Sequence, residues 1–231
     1  MRDSTTPTQG FWAELSGRER RALEVVSTRS HFASGRTILD RQHLVDDVVI
    51  LLSGFSKVVT RISNGPHVVL AVRGPGDIIG ETVSVVDGLR TTSVAAIGLV
   101  EALRICRAAF AMVLTEYPRA MAALQRTLVC KLREADDDRL AAGSMTVGQR
   151  LARLLLKLAQ RYGGPVATGG TSIGVPLSQK DLAACVGGSA RTVARELEDW
   201  RQRQFIETGR RTIVVIRPDA LKRIAGPAAP P

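Results

Sequence analysis

Arg191, Thr192 and Arg195 carry the chemistry of nucleic-acid recognition. A guanidinium pairs bidentately with guanine O6 and N7, and hydroxyls and cations take phosphate oxygens. A second group, Gly80-Glu81 and Arg90-Thr91-Thr92, carries a different chemistry. Glycine admits a ligand close to the backbone, a carboxylate accepts from a ribose hydroxyl, and an arginine beside hydroxyls cradles a phosphate. Inside a small barrel these residues could hold a nucleotide. They read equally well as a surface Glu–Arg ion pair between two hairpins.

The first group is positioned by Leu177–Ile206. Ser178 has cap chemistry, and Gln179–Cys185 carries apolar Leu182, Ala183 and Cys185. Val186-Gly187-Gly188 supplies a turn in which glycine takes positive φ freely. Ser189 caps a second helix reaching about Gln202, with Val193, Leu197 and Trp200 on one face and Arg191, Thr192 and Arg195 off it. This spacing predicts a helix-turn-helix whose second helix offers its N-terminal residues to the major groove. An ordinary αα-hairpin with a solvated basic face fits the same spacing. The sequel separates them: Thr212–Ile216 reads as a strand after the basic turn Glu207–Arg211, so a wing follows the second helix.

The second group lies in a β-prone region from Thr28 to about Arg107. Strands are expected at Thr37–Leu39, Val48–Leu52, Lys57–Ile62, Val68–Val72, Ile78-Ile79, Ser93–Ile97 and Ala102–Ile105. Turn signals separate them at Ser34-Gly35, Ser53-Gly54, Asn64-Gly65, Gly74-Pro75-Gly76 and Asp87-Gly88. Evenly spaced short strands indicate an antiparallel sandwich or barrel. Ahead of it, Ser16 caps a short helix with Leu23 and Val26 inward, while residues 1–10 read as disordered.

Behind the barrel, Ala108–Leu114 is a short helix and Pro118 opens a long one to about Ala142. Its apolar line, Met121, Leu124, Leu128, Leu132 and Ala135, with Arg126, Lys131 and Arg133 off it, suits pairing with a second copy. Packing on its own barrel is the alternative. Glu134 and Asp136–Asp138 read as a solvated face or as partners of Arg133 and Arg139. Gly143-Ser144 is the expected hinge, Thr146–Arg161 a helix with Leu151, Leu154, Leu155 and Leu158 inward, and Tyr162–Gly174 a β-turn-β arm. The expected domains are 1–115, 116–142 and 143–231.

Composition sets bounds. The chain has 231 residues, 45% hydrophobic, with 32 Lys+Arg against 22 Asp+Glu for a net charge of +10. That balance permits a polyanionic partner without locating its site. Cys106, Cys130 and Cys185 have no metal-ligand spacing and read as small packing hydrophobes. Met1–Gly10 has no apolar signal stretch and no run is long enough to span a membrane, so a cytoplasmic protein is expected. An enzyme would have to draw on Glu81 and Asp87 as paired carboxylates, or on His31, His43 or His67 as acid or base. No nucleophile–base pair or metal set supports that reading, and no catalytic residue is assigned.

From about residue 11 to 225 the chain resembles the Crp/Fnr family of bacterial transcription regulators. Phe32–Gly35, Leu52–Gly54, Gly74–Asp77 and Gly80-Glu81 look like the family's β-roll landmarks. Arg90-Thr91-Thr92-Ser93-Val94 resembles its cyclic-nucleotide box, and Val186–Ser189 with Thr192-Val193 and Arg195 its recognition-helix signature. The resemblance implies an α+β fold: an N-terminal antiparallel β-roll, a long dimerisation helix and a C-terminal winged helix-turn-helix. It implies a homodimer joined through residues 118–142 that binds double-stranded DNA at a palindromic operator and works with RNA polymerase.

On that resemblance Glu81 would bind a ribose 2′-hydroxyl, with Gly80, Arg90, Thr91 and Thr92 around the cyclic phosphate of cAMP or cGMP. Ala135 and Asp136 stand where the family reads cAMP's purine with hydroxyls, and Gln42-His43-Leu44 replaces its Gln-Gly-Asp turn. The cysteine cluster of the iron–sulfur branch is absent and no histidine matches the haem ligand, so neither cofactor is expected. At the DNA, Ala190-Arg191 replace the usual Arg-Glu. Arg195 is expected to read a base and Arg191 a base or phosphate. Ser178, Gln179, Lys180, Ser189 and Thr192 are expected at phosphates, with Arg210 and Arg211 adding contacts from the wing. A small effector would shift the dimer's geometry through the long helix and so its DNA affinity.

Overall fold

The computed structural model describes residues 9–41, 46–61, 67–82, 91–167 and 169–226. The chain divides into two compact units, residues 1–60 with 70–132 and residues 61–69 with 133–231.

In chain order the first elements are α1 (Gly10–Glu14), α2 (Gly17–Val25), β1 (Thr28–Phe32), β2 (Thr37–Leu39), β3 (Asp47–Arg61), β4 (His67–Arg73), β5 (Ile78–Ile79), β6 (Ser93–Cys106), α3 (Arg107–Glu116) and α4 (Pro118–Ser144). Ser16 caps α2 in a reciprocal box with Glu19. The sheet runs β1-β6-β3-β4, with β2 on β6 and β5 on β3. Strand periodicity divides β3 between two apolar clusters. Val48 and Ile50 face one that includes Phe11, Ile105, Phe110 and Leu124, while Val49 and Leu51 face another with Ile38, Val94 and Ala102. A strand covered on both faces needs an unbroken apolar run, which Val48–Leu52 supplies.

Two expected breaks are absent. Val48–Leu52 and Lys57–Ile62 belong to one strand of 15 residues as far as Arg61, and Ser93–Ile97 and Ala102–Ile105 to one of 14. Ser53-Gly54 is a bulge inside the ladder rather than a turn, since the β3–β6 register shifts on both sides of Ser53. Gly54 has φ +76°, and a Cβ there would lie 2.1 Å from the Leu99 carbonyl oxygen, so no other residue fits. Strand β1 was not among the expected strands, and Val26 is 38% exposed rather than inward. The Asn64-Gly65 and Asp87-Gly88 turns and Gln42-His43-Leu44 lie outside the described residues, as does the start of the chain up to residue 8.

Helix α4 is continuous through Gly143 and Ser144; the break comes at Met145–Thr146, where Thr146 caps the next helix. Its apolar line divides. Leu124 is 1% exposed, in the unit's own core, and Leu128 packs against that core. Met121, Val129, Leu132 and Leu140 are exposed. At about 100° per residue these four lie within an arc of about 100° that excludes Leu124. The alternation of apolar residues alone mixes the two faces.

The second unit continues with α5 (Val147–Tyr162), β7 (Gly163–Pro165), β8 (Thr171–Ile173), α6 (Gln179–Val186), α7 (Ala190–Gln202), β9 (Ile206–Gly209), β10 (Thr212–Val215) and α8 (Pro218–Ala225). Its small sheet runs β7-β8-β10-β9, all antiparallel. Leu151, Leu155, Leu182, Val193, Leu197 and Trp200 are buried, as the helical spacing requires, whereas Leu154 is half-buried. Helix α8 was not anticipated, although Pro218 at its first turn is a start signal. Cys106 and Cys130 are exposed and Cys185 is half-buried, so the first two are not packing residues.

Helix α6 has eight residues and leans on its cap. The Ser178 hydroxyl accepts from the Asp181 N–H at 3.1 Å and donates to the Asp181 carboxylate at 2.6 Å. Ser178→Ala is therefore expected to cost about 1 kcal/mol. Thermal unfolding of the isogenic pair checks this; an unchanged midpoint would mean that the cap is dispensable.

Candidate nucleic-acid interface and effector pocket

The helix-turn-helix is built from local rules. Helix α6 ends at Gly187, whose φ of +58° makes it a left-handed C-cap. Ser189 then starts α7, its hydroxyl accepting from the Thr192 N–H at 3.0 Å. The Ser189 and Thr192 hydroxyls are themselves 2.9 Å apart. Val193, Leu197 and Trp200 anchor the inner face of α7, which turns the other side to solvent. Arg195 is 78% exposed, its guanidinium 3.8 Å from Glu196.

Gln179 and Lys180 stand exposed at the start of α6, and Ser189, Ala190 and Arg191 at the start of α7; Ser178 and Thr192 are half-buried. Two helix N-termini thus present N–H groups and cationic side chains, an arrangement suited to phosphate. Beyond α7, Arg210 and Arg211 form the exposed tip of the β9–β10 hairpin. Arg211 takes φ +58° to close it.

Arg150 was not singled out from the sequence. From α5 it donates Nε to the Val186 carbonyl at 2.8 Å, and Nη1 to the Met145 carbonyl. One guanidinium therefore joins the break after α4 to the last residue of α6. An arginine just past a cap gives no sequence signal for so remote a partner.

In the first unit, Gly80 has φ +79° and Glu81 is 4% exposed. Lys131, on α4, places Nζ 2.7 Å from Glu81 Oε1 and 2.6 Å from the Ile78 carbonyl. Burial holds the Lys131 pKa below its ordinary value, against the pull of Glu81; nearby Arg73 pushes it the same way as burial. The sequence reading set Lys131 off the apolar line. It stands seven residues after Leu124, two turns on, and shares that buried face. Arg73 and Asp77 are also buried, and Asp77 accepts from the Gly74 N–H at 2.8 Å. Thr91 is exposed and Thr92 half-buried, both just before β6, and Arg90 lies outside the described residues.

The alternative acid–base set is not assembled. His31 is exposed on β1, His43 and Asp87 lie outside the described residues, and only the backbone of His67 is described. Among the described residues no helix is long and apolar enough to cross a membrane.

Comparison with known proteins follows this geometry. Residues 29–117 match the cyclic nucleotide-binding domain model, and residues 149–224 the Crp-like helix-turn-helix domain model. A CRP-like cAMP-activated global transcriptional regulator of Mycobacterium tuberculosis is 29% identical over 194 residues, 84% of this chain and 86% of that protein. The nitrogen fixation regulation protein FixK of Bradyrhizobium diazoefficiens is 25% identical over 84% of this chain and 80% of its own length. FixK2 from Bradyrhizobium japonicum shares the fold at a TM-score of 0.77 and 22% identity, covering 88% of this chain and 100% of that one. Crp-like regulators of this kind bind DNA and act as dimers. A nucleotide-type β-roll, a long helix and a winged helix-turn-helix in this order, matched along most of the chain, place it in the Crp/Fnr family, as a DNA-binding transcriptional regulator with an effector-sensing domain.

Proposed function

We propose that the β-roll senses a cyclic nucleotide and that the protein, as a homodimer joined along α4, reads a palindromic operator and engages RNA polymerase. The observation that carries the effector reading is the buried Glu81 carboxylate beside Gly80, tied by Lys131 to α4. A ribose 2′-hydroxyl would donate to Glu81. Arg90, Thr91, Thr92 and the Gly80 backbone would enclose the cyclic phosphate. Any ligand that changes the Glu81–Lys131 contact changes α4 as well. An effector shifts the balance of two dimer arrangements only through unequal affinity for them. At the DNA, Arg195 reads a guanine and Arg191 a base or phosphate. Ser178, Gln179, Lys180, Ser189, Ala190, Thr192, Arg210 and Arg211 set the register on the backbone.

The same pair favours a second reading. Lys131 already meets the Glu81 oxygen that a sugar hydroxyl would use. A pocket completed by its own lysine can hold the DNA-binding arrangement without a ligand. Titration calorimetry with cAMP and cGMP separates the two. On the first reading the wild type gives a saturable heat with one of them, Arg90→Ala abolishes it, and Lys131→Met changes the affinity. No heat with either nucleotide, together with undiminished DNA binding, leaves the effector-independent reading.

A further inference from the structure

The last turns of α4, from Arg133 onward, belong to the compact unit that carries the helix-turn-helix. The acidic residues there do not pair with Arg133 and Arg139 as the sequence suggested. Arg161 of α5 meets Glu134 at 3.0 Å, and Lys157 lies 3.7 Å from Glu134 and 3.9 Å from Asp138. Going up α4 from 134 to 138, the partners descend α5 from 161 to 157. The two helices therefore fold back antiparallel about Met145–Thr146, strapped by long charged side chains.

The strap is continuous with the DNA-reading elements. Arg150 holds the Met145 carbonyl at the fold-back and the Val186 carbonyl at the end of α6. The Met145 side chain is also met by Arg153, whose Nη1 lies 3.9 Å from its sulfur. The angle at which α5 leaves α4 thus passes to α6 and α7 through groups that are bonded to one another. Ion pairs with this much exposure (Arg161 25%, Glu134 26%) add little to stability, because water and salt screen them. Their effect falls on geometry.

We infer that Glu134 is a positioning residue for DNA binding: through Arg161 and Lys157 it sets the angle between the long helix and the helix-turn-helix. That angle fixes the separation of the two recognition helices. The inference rests on the proposed dimer along α4 and a two-fold operator. Half-site spacing in such sites mirrors the protein's geometry, so the strap sets spacing, whereas Arg195 sets the word that is read.

The test is binding-site selection from random-sequence DNA with wild type, Glu134→Arg, Arg161→Glu and the double swap. Dimer mass by ultracentrifugation and thermal midpoint accompany each. Glu134→Arg is expected to keep the half-site word and the midpoint, lose at least tenfold in affinity for the wild-type site, and alter or relax the spacing. The swap is expected to restore both. Wild-type spacing and affinity within twofold in Glu134→Arg would overturn the inference. So would a lowered midpoint with lost affinity that the swap does not rescue, since that marks a merely structural role. A wild type that is monomeric, or that selects no two-fold site, removes the dimer reading itself and this inference with it.

Discussion

Val129→Glu/Leu132→Glu is expected to sediment as a monomer and to bind a selected operator at least a hundredfold more weakly than wild type. Both side chains are exposed on α4, at 48% and 63%, in line with Met121 and Leu140. An exposed apolar arc on a 27-residue helix is what a second copy would cover. Glutamates at both positions would bring like charges, stripped of water, against their copies across a two-fold axis. That is a far larger cost than loss of apolar contact alone. Two linked readers gain about 10² to 10⁴ in affinity over one, and the monomer forfeits that gain. The substitutions sit on the solvent side, so helix content and thermal midpoint should hold in the remaining protomer. A dimer of unchanged mass would place the interface elsewhere.

The second large effect is expected at Arg195. Arg195→Ala should lose sequence preference while keeping residual, salt-sensitive DNA affinity. A bidentate arginine–guanine contact discriminates by about 1–3 kcal/mol, roughly ten- to a hundredfold at each half-site. With its side chain 78% exposed and only a 3.8 Å approach to Glu196, Arg195 has little to give up on moving to a base. Arg210→Ala and Arg211→Ala supply the contrast. Phosphate contacts carry no sequence information, so each should weaken all sequences alike and reduce the salt dependence of log affinity by about one. Fluorescence anisotropy on matched and scrambled sites, over a salt series, distinguishes the patterns. Equal loss on both sites for Arg195→Ala would make it a phosphate contact.

The helix-turn-helix was legible residue by residue because its determinants are local. Ser178 and Ser189 satisfy N–H groups three residues away, Gly187 supplies a left-handed turn that costs other residues strain, and Val193, Leu197 and Trp200 recur at helical spacing. The order of β-roll, long helix and wing was legible for the same reason. Each element announces itself in a window of ten or twenty residues.

Other features are held by partners far along the chain. Gly54 reads as a turn until the Leu99 carbonyl shows that it faces a bulge. Leu124 and Leu132 look alike in sequence, yet one is buried in its own unit and the other is exposed, because only packing decides which side of a helix has a neighbour. Lys131 meets Glu81 fifty residues away, and Arg161 meets Glu134 across 27. A charged side chain carries no mark of its partner. Its long stem reaches whatever the chain has brought near, and burial then fixes the choice. The sequence by itself determined what the protein is: a Crp/Fnr regulator with its DNA-reading helix in place. The tertiary structure alone decided which charges are joined, and so how the pocket and the long helix are tied to the elements they serve.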